Sequence, residues 1–241
     1  TDQDASIGLL DKLAYMIGDV GCNIVLTLAN SYLLVFYTKV MGVSGAIVGS
    51  IFMLARFVDA FTDIFVGRIC DTRTNKKGER YRYWMAYGSI PLVITSTLMY
   101  NYFLANAPMT IKVIYLAVTY ILFGSICYTA VNIPYGALSN VVTSDPTHRS
   151  SLSTWRSVGS QIGGLLLGII IPLIIYVKDA DGNNIASGPR FFNASVILGL
   201  VALITILFCW KFSIERVHLD NQTAVSYTHL RAHETTLQLV C

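Results

Sequence analysis

Long apolar stretches, separated by short segments that carry most of the charges, give the sequence its pattern. A stretch of about 18 or more mostly apolar residues is long enough to cross a bilayer as a helix. The pattern contains six such stretches and therefore predicts an all-α membrane protein with six transmembrane helices. They lie between Lys12 and Lys39, from about Gly45 to Val66, between Arg82 and Lys112, between Lys112 and Asp145, from Ser157 to Val177, and from Phe191 to Trp210.

The composition excludes several classes of protein. Hydrophobic residues make up 54% of the 241 positions and charged residues only 13%, about half of the ~25% that is usual in soluble domains. That balance excludes a soluble domain and also a disordered chain, which needs few apolar residues and many charges. A net charge of +3 is too small to indicate a nucleic-acid-binding protein. The five cysteines have no CxxC spacing and predict neither a disulfide framework nor a zinc site.

Basic residues are concentrated in alternate loops. Lys12 precedes the first stretch, Arg149 lies between the fourth and fifth, and Lys211 and Arg216 follow the sixth. Because cytoplasmic loops carry an excess of Lys and Arg, this bias predicts that both ends of the segment are cytoplasmic. The loop after the second stretch contributes most to the bias, with Arg68, Arg73, Lys76, Lys77, Arg80 and Arg82.

The second apolar stretch carries three charges, Arg56, Asp59 and Asp63, on one helical face. Each charge opposes insertion by ~2.5–3.5 kcal/mol if it is central, so the three must face a bundle interior or a watery cavity. One interpretation is a structural ion pair between Arg56 and one aspartate. The other is a cation or proton site, because two carboxylates against one arginine leave a negative surplus of hard oxygen ligands.

The fourth stretch places Ser125, Tyr128, Thr129 and Asn132 on one face, at i, i+3, i+4 and i+7. Thr129 offers a further oxygen to a cation site, and Tyr128 and Asn132 offer hydrogen bonds to a polar solute. Hydrogen bonding between helices is the alternative for all four. We favour that alternative for Ser125 and a functional role for Asn132.

Polar residues in the first and fifth stretches allow the same two interpretations. Asp19 and Asn23 lie one turn apart, and Asp19 is the stronger candidate for a site because it is charged. Arg156 is either a snorkelling residue at the interface or a bidentate donor to the hydroxyls or carboxylate of a solute. Two overlapping GxxxG spacings predict close helix packing; they are formed by Gly159, Gly163, Gly164 and Gly168.

The loop after the second stretch contains the pattern GxxxDxxxxKxG, which resembles the loop signature of the major facilitator superfamily. Its members here are Gly67, Asp71, Lys76 and Gly78. We expect Gly67 to permit close approach of helices, and Asp71 to cap a helix start and pair with a basic residue. An ordinary basic loop is the alternative.

Several segments together resemble the glycoside–pentoside–hexuronide:cation symporter family of that superfamily. They are Lys12 to Tyr15 with Gly18-Asp19, Phe36 to Thr38, Arg56 to Asp63, and Asn132 to Leu138. The resemblance covers about residues 8 to 217 and is strongest to its glucuronide carriers and melibiose permeases. It implies a fold of two six-helix halves, of which this chain is the N-terminal half, in the cytoplasmic (inner) membrane of a bacterium.

The resemblance also implies roles for individual residues. Asp59 and Asp63, with Thr129 beside them, match the coupling-cation site, so that Na⁺, H⁺ or Li⁺ binds there and no cofactor is needed. Asn23 and Asn132 match two sugar-binding aspartates of the melibiose permease, and asparagine at both weakens any prediction of galactoside specificity. The predicted sugar contacts are Asp19, Asn23, Tyr128, Asn132 and Arg156.

We therefore predict cation-coupled symport of a glycoside, pentoside or hexuronide rather than an enzymatic activity. The expected partners are the sugar, membrane lipid and a C-terminal six-helix half, without nucleic acid. A carrier of lipids or lysolipids from the same superfamily is the alternative. Residues 1–217 form the predicted bundle and 218–224 begin a central cytoplasmic loop, whereas 225–241 resemble the translation of a sequencing adapter and are excluded from the fold.

Overall fold

The structure is a computed structural model that describes residues 7–74, 78–178 and 184–217. The predicted tail at 218–241 lies outside the described residues. Within these ranges the six apolar stretches form six helices, as predicted. Their bounds are α1 Leu9–Val40, α2 Gly45–Thr72, α3 Arg82–Leu98, α4 Met109–Val142, α5 Pro146–Ile175 and α6 Gly188–Phe212.

Two helices differ from the predicted stretches. Helix α3 has 17 residues, or about 26 Å at 1.5 Å per residue, and the other five are the ones long and apolar enough to cross a membrane. Helix α5 begins well before the predicted start at Ser157. The reason is local, because the Asp145 side chain accepts a hydrogen bond from the Thr147 N–H and Pro146 takes the first helical position. That bond lowers the pKa of the Asp145 carboxyl.

The helices pack around α1. Helix α1 lies against α5 and α6, α3 lies between α6 and α4, and α2 packs on α4. Large apolar side chains remain exposed on the outside, including Phe61 at 76% and Leu173 at 74% exposure. Such a surface fits lipid rather than water. Helices α1 and α4 each include π-helical turns, which in α4 run from Leu122 to Tyr128.

One end of the bundle holds the loops after α1, α3 and α5. Here the Lys112 ammonium group donates to the Met41 carbonyl oxygen at 2.7 Å. Because α4 begins at Met109, Lys112 lies in the first turn of this helix rather than at the boundary between the third and fourth apolar stretches. The α5–α6 connection also contains a hairpin that the sequence analysis did not predict. Its strands are β1 Tyr176–Lys178 and β2 Asn184–Ala186, paired antiparallel with Val177 opposite Ile185.

The opposite end is tied together by residues 213–217, which we call the strap. The Glu215 carboxylate accepts hydrogen bonds at 2.7–2.8 Å from the backbone N–H groups of Arg80, Tyr81 and Arg82, where α3 begins. The next residue, Arg216, donates from Nη2 to both carboxylate oxygens of Asp11 at 2.9 and 3.0 Å. Backbone N–H groups of the strap also bond the last turn of α4. The strap thus joins α6 to α1, α3 and α4.

The glycines of the two GxxxG spacings of α5 differ in how closely they approach α1. At Gly159 an added Cβ would lie 3.0 Å from the backbone oxygen of Met16 on α1, whereas at Gly164 and Gly168 it would meet nothing within 4 Å. The predicted close packing is therefore present at Gly159 and absent around Gly164 and Gly168 among the described residues.

We expect Gly159→Ala to destabilise the α1–α5 contact and Gly164→Ala, on the same helix, to be neutral or stabilising. Alanine at an open helical position gains ~0.4–1 kcal/mol over glycine, and at Gly159 the clash with a backbone atom outweighs that gain. Thermal unfolding in detergent compares the two variants. An equal melting temperature for both would contradict the expectation.

Candidate cation and solute sites

Two carboxylates of α2 face hydroxyl groups of α4. Asp59 and Asp63 lie one helical turn apart, so both reach the neighbouring helix. The Ser125 hydroxyl donates to Asp59 Oδ1 at 2.5 Å, and the Thr129 hydroxyl lies 2.9 Å from Asp63 Oδ1. Each carboxylate therefore has a hydroxyl partner from α4, and the four side chains form a cluster of hard oxygen atoms.

Arg56 neutralises this cluster only in part. Its Nη1 atom is 3.4 Å from Asp59 Oδ2, and the Arg56 side chain is 63% exposed. Such a long, exposed pair is weak. The structural ion pair is therefore present only with Asp59, and the three side chains together keep one surplus negative charge.

A cavity of about 400 Å³ opens beside these carboxylates. Arg56, Asp59, Asp63 and Thr129 line it from α2 and α4. Asn30 reaches it from the π-helical turn of α1. No group of three or more His, Cys, Asp or Glu residues lies together in the described parts of the chain, so a bound cation would rely on the two carboxylates and on hydroxyl oxygens.

A second polar cluster joins α1 to α5. Arg156 Nε donates to Asp19 Oδ1 at 2.8 Å, and Asn23 Nδ2 donates to Asp19 Oδ2 at 2.7 Å. The Asp19 side chain is only 4% exposed. Arg156 is therefore paired with a buried carboxylate. This pairing disfavours the alternative in which Arg156 only extends its charge to the membrane interface.

Two stacked tyrosines hold Arg156 in place. The Arg156 guanidinium carbon is 4.9 Å from the centre of the Tyr135 ring, a cation–π distance. Tyr135 stacks on Tyr15 at 4.8 Å, and each hydroxyl donates to the other residue's backbone carbonyl oxygen. Because α1 and α4 are locked together in this way, the guanidinium has a rigid platform.

A cavity of about 310 Å³ lies beside the Asp19–Arg156 pair. It shares Leu26, Tyr128 and Asn132 with the 400 Å³ cavity. Lining residues with amide or hydroxyl groups that were not predicted from the sequence are Asn30 of the first cavity and Ser157, Ser160 and Gln161 of the second. The i, i+3, i+4 spacing of Ser157, Ser160 and Gln161 is the signal that would have found those three.

The structure brings all eight predicted cation and sugar residues to these two adjoining cavities. Ser125, which we had assigned to hydrogen bonding between helices, does bond across helices, but its partner is the predicted cation ligand Asp59. It therefore belongs to the same cluster.

The loop motif is placed differently from our expectation. An added Cβ at Gly67 would meet nothing within 4 Å, so no close approach of a helix to this glycine is seen among the described residues. Asp71 lies in the last turn of α2 and accepts a hydrogen bond from the Tyr81 hydroxyl at 2.8 Å, rather than capping a helix start. Gly78 has a φ of 79°, which favours glycine. Lys76 lies outside the described residues.

Comparison with known proteins identifies the family. Residues 14–239 match the family model described as MFS/sugar transport protein. The chain belongs to this family of integral membrane proteins, which confirms the predicted class and fold.

Individual relatives agree with that class. The chain is 34% identical to the inner membrane symporter YicJ of Escherichia coli (strain K12), an alignment that covers 93% of this chain and 47% of that protein. It is 33% identical to the isoprimeverose transporter of Lactiplantibacillus pentosus, covering 86% and 42%. It is 31% identical to the glucuronide carrier protein homolog of Escherichia coli (strain K12), covering 85% and 43%. The chain thus spans about half the length of the curated relatives it matches.

Proposed function

We propose that the chain is the N-terminal half of a secondary active transporter that couples uptake of a sugar or glycoside to a cation. Asp59, Asp63 and Thr129 hold the cation, which is Na⁺, H⁺ or Li⁺. Asp19, Asn23, Tyr128, Asn132 and Arg156 contact the sugar. The observation that carries the proposal is that the carboxylate cavity and the Arg156 cavity share Tyr128 and Asn132.

A shared wall supports coupling between the two ligands. Tyr128 and Thr129 are consecutive, so a change at the Asp63–Thr129 contact also moves the tyrosine that borders the second cavity. A serine or threonine hydroxyl can donate or accept. When a cation enters, the Ser125 and Thr129 hydroxyls turn their lone pairs toward it and release the carboxylate oxygens for coordination. Solute bound against Tyr128 and Asn132 then favours the same arrangement.

The surrounding architecture suits alternating access. In transporters of this design the substrate and ion lie near the membrane midplane between two bundles that rock about them. The C-terminal half supplies the second wall of both cavities, and the bundle lies in the inner membrane with the strap at the cytoplasmic side. The excess of basic residues at that end supports this orientation.

Uptake into vesicles tests the proposal. The full-length transporter is reconstituted, and radiolabelled glycosides are offered under imposed gradients of Na⁺, Li⁺ or H⁺. We expect accumulation that requires one of these gradients and disappears when an ionophore collapses it, with protein-free vesicles as control. Accumulation of lysolipid without any glycoside would overturn the sugar assignment and favour a lipid carrier.

A further inference from the structure

We propose that this site selects an electrically neutral glycoside over a uronide or a sulfonated sugar, and that Asp19 enforces the selection by neutralising Arg156. The inference rests on the proposed function, because it names the class of solute for the same site. Among the relatives, one is named for isoprimeverose, which is neutral, and another for glucuronide, which is anionic.

The charge of Arg156 is already matched inside the protein. Its Nε donates to Asp19 Oδ1 at 2.8 Å, and its guanidinium lies over the Tyr135 ring. An anionic group placed against Arg156 would also approach the buried Asp19 carboxylate. Two like charges in one poorly solvated site repel each other, so the pair disfavours an anionic solute.

The rest of the Arg156 cavity is neutral. Among the described residues that line it, only Asp19 and Arg156 are charged. Asn23, Asn132 and Gln161 provide amides, and Ser157 and Ser160 provide hydroxyls. Amides and hydroxyls both donate and accept, which matches the hydroxyl groups of a neutral sugar.

The adjoining cavity leads to the same conclusion. Its described charged residues are Arg56, Asp59 and Asp63, which leave one surplus negative charge. One monovalent cation cancels that surplus, so the described walls of the two cavities are together neutral once the cation is bound. A neutral glycoside keeps them neutral, whereas an anionic one adds an uncompensated charge at membrane depth, which is costly.

Matched pairs of solutes test the selection in the full-length wild-type transporter. An aryl β-glucoside and its β-glucuronide differ only at C6, as do the corresponding galactoside and galacturonide, and a quinovoside is compared with its sulfonated analogue. Competition for cation-dependent binding gives the ratio of dissociation constants in each pair. We expect the neutral member of a bound pair to bind about tenfold or more tightly than the anionic one.

Asp19→Asn tests the role of the carboxylate. Asparagine has nearly the same shape but leaves the Arg156 charge unmatched, and an anionic solute can then compensate it. We expect the ratio to shift toward the anionic member by about tenfold or more. Asp145→Asn is the matched control, because that residue lies outside both cavities and asparagine caps a helix start as well as aspartate does.

The outcomes separate the inference from the proposed function. Wild-type preference for the uronides or the sulfonated sugar, or a ratio in Asp19→Asn equal to that of the wild type, would overturn the inference while leaving sugar transport in place. Failure of both members of every pair to bind would overturn sugar transport and the inference together. If Asp19→Asn does not accumulate in the membrane, the wild-type ratios decide.

Discussion

We expect Asp59→Asn and Asp63→Asn each to abolish cation-stimulated uptake in the full-length transporter. Either change removes the surplus negative charge of the α2 cluster and one hard oxygen ligand. A loss of about 3 kcal/mol in cation binding corresponds to roughly a hundredfold weaker affinity. Initial uptake rates across a series of Na⁺, Li⁺ and H⁺ concentrations measure the effect.

Solute binding separates loss of the cation from loss of the fold. Because the Asp19–Arg156 pair lies in the adjoining cavity, both variants should keep some binding of glycoside in the absence of a gradient. Asp145→Asn, at the exposed start of α5, should behave as wild type. Unchanged cation dependence in both Asp59→Asn and Asp63→Asn would remove these residues from the cation site.

The second large effect is expected at Glu215. Its carboxylate accepts three backbone N–H groups at the start of α3, where the helix also presents its positive dipole end. Replacing Glu215 with alanine leaves these donors without their charged acceptor and should cost about 2–4 kcal/mol of stability. Thermal unfolding in detergent should show a melting temperature several degrees below that of the wild type.

Glu79 provides the comparison on the same loop. It forms an ion pair with Arg82, but Arg82 also donates from Nε and Nη2 to the Trp210 carbonyl oxygen at 3.0 and 2.6 Å and so stays bonded without it. Glu79→Ala should therefore lower the melting temperature less than Glu215→Ala, because Arg82 keeps a hydrogen-bond acceptor. If Glu215→Ala melts at the wild-type temperature, the strap does not stabilise the bundle.

The helices of this fold are readable from the sequence because crossing a bilayer demands long apolar stretches. The ends of the helices are less predictable, since they depend on local features such as the Asp145 cap of α5 and the strand pairing that follows this helix. Lys112 shows the same limit. A lysine normally marks the end of a span, but here its ammonium finds a carbonyl oxygen on the neighbouring loop.

For the candidate site, the residues could be predicted from the sequence but their contacts could not. Charged residues in apolar helices are conspicuous, so Asp19, Asp59, Asp63 and Arg156 could be identified without coordinates. Their pairing could not, because Asp19 and Arg156 are separated by 137 positions and meet only through packing. The hydrogen bonding of Ser125 between helices was predicted, but its partner could not be, because only the position of α2 shows that this partner is Asp59.

The strap also has a mechanical consequence. A force applied to the chain that follows Val217 does not simply peel the last turn of α6 away from the bundle. The load passes through Arg216 to Asp11 on α1 and through Glu215 to the first N–H groups of α3. Its backbone bonds to Val141 transfer part of the same load to α4. Tension in the following segment is thus shared among α1, α3, α4 and α6. These four helices therefore resist the force together, and none of them is pulled away from the bundle alone.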